Sequence, residues 1–107
     1  MLAMRQGWTE VNVPADVDPA VTLVAAPDLN TRIIVRRIRG TVSNAFSLRS
    51  STTVIQSLSA GNVDIPGLQL ATRFGEDLTA FGSGVSDTGD VAIQYAFDRN
   101  PQPQAYT

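Results

Sequence analysis

Apolar and polar residues alternate along most of this chain in short runs, each closed by glycine, proline, asparagine, aspartate or serine. The cleanest run is "DVAIQYAF" (90–97), where Val91, Ile93, Tyr95 and Phe97 fall on one face and Asp90, Ala92, Gln94 and Ala96 on the other. Strict period-two patterning predicts a strand with one buried face. Comparable runs are "TEVNV" (9–13), "AVTLVAA" (20–26), "TRIIVRRIRGTVS" (31–43), "AFSLRS" (45–50), "TVIQSL" (53–58), "NVDIPGLQLA" (62–71) and "DLTAF" (77–81). The runs at 45–50 and 53–58 are expected to pair around "SST". Pro66 lacks a ladder donor and belongs on an edge or at a bend. Gly75 and Gly82 fence "DLTAF" too tightly for a stable helix.

The longest run poses a phase problem. If Ile33 and Val35 face inward, strict alternation carries Arg37 and Arg39 into the core with them. One extra residue at Arg36–Arg37, a β-bulge, returns Ile38 and Val42 to the inside. The expected core is Ile33, Val35, Ile38, Phe46, Leu48, Val91, Ile93, Tyr95 and Phe97. Strands spaced by turn signals predict an all-β sandwich or barrel; of these the fold expected is a single antiparallel β-sandwich, jelly-roll-like, of about eight strands. The expected organisation is an N-terminal arm with a first strand (1–19), the sandwich (20–98) and an extended proline-rich tail (99–107).

Composition narrows the chemistry. The 107 residues, 43% apolar, suit one domain with one core. Cysteine and histidine are absent, and all eight basic residues are arginine. Thiolate sites, the commonest general base and metal ligand, and lysine Schiff bases are therefore excluded. Carboxylates and hydroxyls remain, so no enzymatic activity, cofactor or metal is expected. A net charge of −2 and a pI near 4.8 argue against nucleic acid as a partner. No run approaches the apolar length of a membrane span. "MLAMRQGWTE" lacks a sustained apolar stretch, so no signal peptide is expected and the chain is expected to act without secretion.

Two clusters invite a functional reading. The first is acidic: Glu76, Asp77, Asp87 and Asp90 within "GEDLTAFGSGVSDTGD". The spacing fits no EF-hand loop. Asp87-Thr88-Gly89 matches the aspartic-protease tripeptide, but that chemistry needs two such carboxylates sharing a proton. Glu76 and Asp77 are adjacent and would point to opposite faces, which does not suit a glycosidase pair. Turn chemistry is the expected role of all four. The second cluster is "RRIRG" with the apolar N-terminal segment. Arginine's planar fork pairs with carboxylates and stacks on rings, and tryptophan is an efficient anchor. Met1, Leu2, Met4, Trp8, Arg36, Arg37, Arg39 and Tyr106 are the predicted partner interface. Arginine-only usage fits both an interface and a GC-rich genome.

The strand "TRIIV", the stretch "GEDL" and the final strand "GDVAIQYAF" together resemble a pattern in small β-sandwich virion proteins of tailed bacteriophages. The residues carrying the resemblance are Arg32 to Val35, Gly75 to Leu78, and Gly89, Val91 and Tyr95, within about residues 20 to 97. The resemblance implies capsid decoration: a non-enzymatic cement protein on the outer capsid surface, made in the host cytoplasm. It would bridge subunits of the major capsid protein as a homotrimer, without nucleic acid or membrane. It also implies that Gly75 to Leu78 opens the penultimate strand and that Asp87 to Gly89 turns it into the last. The alternatives are a tail, baseplate or fibre module that binds glycan, and a small hydrolase.

Overall fold

The computed structural model describes residues 8–14, 16–82 and 90–99, and these form strands and connections without a helix. Nine strands follow in order: β1 (Thr9–Asn12), β2 (Val21–Val24), β3 (Thr31–Val42), β4 (Phe46–Ser50), β5 (Thr53–Leu58), β6 (Gly61–Ile65), β7 (Leu70–Ala71), β8 (Leu78–Gly82) and β9 (Asp90–Arg99). They match the predicted runs closely. Pro66 accounts for the extra strand, because pairing with β3 stops after Ile65 and resumes at Leu70.

The strands form two antiparallel layers packed on one another, a single β-sandwich. One layer has the order β1-β9-β3-β6, with β7 also on β3; the other is β2-β8-β4-β5. Every connection crosses between layers except β4–β5 and β6–β7. This is the double Greek key of a jelly roll. The pairs β1·β9, β2·β8, β3·β6 and β4·β5 are nearly symmetric in sequence about Ser51–Thr52. The chain is thus one antiparallel ribbon, folded at that hairpin and wound around its own core. Ser51 makes the turn with a left-handed backbone (φ 56°). Its N–H donates to the Asp77 carbonyl at 2.9 Å and its carbonyl accepts from Thr79 Oγ1 at 2.8 Å.

The bulge in β3 lies where the pattern places it. Val35 pairs with Tyr95 and Arg37 with Gln94, leaving Arg36 as the extra residue. Ile33, Val35, Ile38 and Val42 are consequently all buried. Gly40 then passes β9 at φ +139°, and a Cβ there would run into the Asp90 carbonyl oxygen. No side chain fits at that crossing. In the facing layer, inward residues are complementary in size: Ser50 lies beside Leu78, Leu48 beside Ala80, and Phe46 beside Gly82. Such alternation lets neighbouring strands fill one plane without voids.

Seven of the nine expected core residues are buried, and Tyr95 packs against them half-buried. Phe97 is a correction: it is 41% exposed. Its ring meets Tyr95 edge-on at 5.8 Å, and it shares a face with Ile33 across the ladder. It lies beyond the Thr9–Tyr95 pair, however, past the end of β1. Alternation names a face and is silent on how far cover extends along it. Ala96, on the other face, is buried, at the level of Trp8. β8 and β9 lie in different layers, and the turn expected at Asp87 to Gly89 falls outside the described residues.

Candidate functional site: the outer face of the β1-β9-β3-β6 layer

Glu76 and Asp77 are tied into a seam between the two halves of the ribbon. Glu76 Oε1 accepts from Ser50 Oγ, whose oxygen in turn accepts from the Arg73 N–H at 2.9 Å. Asp77 Oδ1 accepts from the Ala26 N–H at 2.8 Å. Gly75, at φ +83°, donates to the Thr31 carbonyl at 2.9 Å and lies against Leu29. The two carboxylates serve different partners, a serine hydroxyl and a backbone N–H. Asp90 opens β9 opposite Thr41, and among the described residues no three acids gather in a metal-binding group. "PDLN" makes the expected turn. Asp28 Oδ1 accepts from Thr31 Oγ1 at 2.9 Å and from the Asn30 N–H at 2.8 Å. Led by the Thr31 hydroxyl, these bonds hold its carboxyl below the ordinary carboxylate value.

The candidate site for binding lies on the outer face of the layer containing β3. Because of the bulge, Arg36 and Arg37 both leave the core side. The Arg36 guanidinium stacks over the Trp8 ring at 4.5 Å, and its Nε donates to Gln94 Oε1 at 3.1 Å. Trp8 is 36% exposed, immediately before β1. β1 pairs with β9 and β9 with β3, so two strand pairings carry Trp8 to Arg36. Arg37 instead faces β6 and grips Asp64 with two donors, each at 3.2 Å. Arg39 is exposed and makes no ion pair among the described residues. Three of the predicted interface residues, Trp8, Arg36 and Arg39, therefore remain presentable on this layer, while Arg37 is occupied internally. Met1, Leu2, Met4 and Tyr106 lie outside the described residues.

Beside the Trp8–Arg36 stack is a groove of about 440 Å³. Trp8 and Arg36 line it together with Ile34, and Leu68 and Leu70 come from the segment that Pro66 sets off. The Leu68 N–H donates to the Arg36 carbonyl at 2.8 Å and holds that segment in place. Arg32 also lines the groove, fixed by Asp98 at 2.7 Å and stacked on Phe74 at 4.9 Å. Arg32, Leu68 and Leu70 were not among the predicted interface residues. The available signals were the outward phase of Arg32 and the proline break that returns 68–71 to β3. An aromatic ring, two oriented guanidinia and an aliphatic lining suit binding, through stacking and charge-assisted hydrogen bonds. Among the residues of this groove there is no nucleophile–base pair.

The facing layer has a smaller concavity of about 280 Å³, lined by Phe46, Ser47, Ser57, Leu58 and Phe81 among others. Arg49 stacks over Phe81 at 4.3 Å, and its Nε is buried without a hydrogen-bond partner among the described residues. No protein-family model, curated protein or solved structure matches this chain.

Proposed function

We propose that this chain is a non-enzymatic virion component that decorates a capsid, docking by the outer face of the β1-β9-β3-β6 layer. The observation that carries this reading is the Trp8–Arg36 stack beside the groove, with Arg39 on the same layer making no ion pair among the described residues. A partly exposed tryptophan held by an arginine is a preorganised anchor that loses little side-chain entropy on docking. Arginines without internal carboxylate partners complement an acidic surface and orient the encounter. The partner in this reading is the major capsid protein, and bridging its subunits stabilises the shell by mass action and effective concentration. The absence of a nucleophile–base pair among the residues of this groove supports binding over catalysis.

The test is co-sedimentation of purified protein with mature and precursor capsids. Wild type is expected to pellet with capsids, and Trp8→Ala and Arg36→Ala to weaken pelleting by roughly tenfold or more each. The second reading, a tail or fibre module that binds glycan, is favoured by the aromatic wall of the groove. Wild type left in the supernatant with every capsid form, yet co-purifying with tails, overturns the capsid role and selects that alternative.

A further inference from the structure

The edges of the two sheets are protected unequally. β1 carries Glu10 and is followed by Pro14, and β6 carries Asp64 and is stopped by Pro66. β2 has four residues, an irregular register between Thr22 and Val24, and prolines at 19 and 27 on either side. Charge, proline, short length and bulges are the devices that keep an edge from pairing with another chain. β5 has one of them, a bulge at Ile55. Its six residues, "TVIQSL", include no charge and no proline. It also lies within the longest uncharged stretch of the chain, from Ser50 to Val63.

β5 closes its layer, and among the described residues it pairs with β4 alone. Its outer edge has no strand partner among the described residues, though the Ser57 carbonyl accepts from its neighbour Gln56 Nε2 at 3.2 Å. Val54 is 48% exposed on the outer face, beside Arg49 across the ladder. An uncharged edge is self-complementary: two copies approach without like-charge repulsion, and neither presents a group that demands an ionic partner.

We infer that β5 pairs antiparallel with β5 of a second copy of this chain, joining the two β2-β8-β4-β5 layers into one continuous sheet across a twofold axis. Main-chain hydrogen bonds supply the affinity, and the uncharged side chains of β5, with Val54 exposed among them, the fit. The contact is isologous and closes at two copies, unlike the trimer expected from the resemblance. It leaves the Trp8–Arg36 face free and does not depend on the capsid reading.

Sedimentation equilibrium and backbone amide hydrogen exchange on the full chain test it, with Val54→Glu as the probe. In the single chain this substitution faces Arg49 and leaves the fold in place, checked by an unchanged circular dichroism spectrum. In the pair it brings a like charge from each copy to the contact. Wild type is expected to dimerise with increasing protection of amides 53–58 as concentration rises, and Val54→Glu to weaken the dimer roughly tenfold or more. Arg39→Glu, on the other layer, is expected to leave it unchanged. A monomer up to about 1 mM overturns the inference. So does a dimer insensitive to Val54→Glu, or one abolished by Arg39→Glu.

Discussion

The two layers have inner faces of the same kind and outer faces of opposite kinds. Strands β1, β9, β3, β6 and β7 carry nine charged residues, and strands β2, β8, β4 and β5 carry Arg49 alone. In the charged layer Arg32 ties β3 to β9 through Asp98, Arg37 ties β3 to β6 through Asp64, and Arg99 reaches Asp28 at 3.7 Å. The other layer is held across its strands by backbone pairing, by size-matched side chains and by Ser47 Oγ donating to the Phe81 carbonyl at 3.3 Å. Stability alone does not require this asymmetry, since exposed ion pairs contribute little. It separates a surface able to address a charged partner from one suited to an uncharged contact.

If the inner faces are equivalent, truncating one residue from each should cost alike. Ile38→Ala and Leu48→Ala, fully buried on opposite layers, are each expected to lose about 3 kcal/mol in chemical denaturation. Phe97→Ala should lose only about 1 kcal/mol, because its ring is already partly wet. A Phe97 loss matching the other two would return that ring to the core.

Salt should separate the outer faces. Asp98→Asn breaks the Arg32 pair, whose side chains are each 38% exposed. It is expected to cost about 0.5 kcal/mol at low ionic strength and almost nothing near 1 M salt. Ser47→Ala, on the uncharged layer, should show the same cost at both. Equal salt sensitivity in the two variants would erase the distinction.

The smallest effect concerns Asp28, at the charged layer's end of the molecule. Its carboxyl is depressed in the folded state, so its contribution is present above the ordinary carboxylate value and is lost as pH falls through the lower folded value. Thr31→Val removes the leading hydroxyl donor and should move the Asp28 titration, followed by NMR, up toward the ordinary range. An unmoved titration would leave the Asn30 amide as the principal cause.

Where the strands lie can be read from the residues alone, because side-chain alternation and turn chemistry are properties of single segments. Even the bulge at Arg36 was legible, since no other arrangement keeps Ile33 and Ile38 inside while Arg37 and Arg39 stay outside. The hairpin at Ser51–Thr52 was visible for the same local reason. The assembled sandwich alone places β8 and β9 in different layers, Phe97 past the end of its cover, and Trp8 against Arg36. Each depends on which strands become neighbours and how far they overlap. Strand order follows from winding the whole ribbon around one core, and a period-two pattern reads the same in any order. Trp8 and Arg36 are separated in the chain by most of the ribbon's first arm, and β9 between them is what brings the pair together.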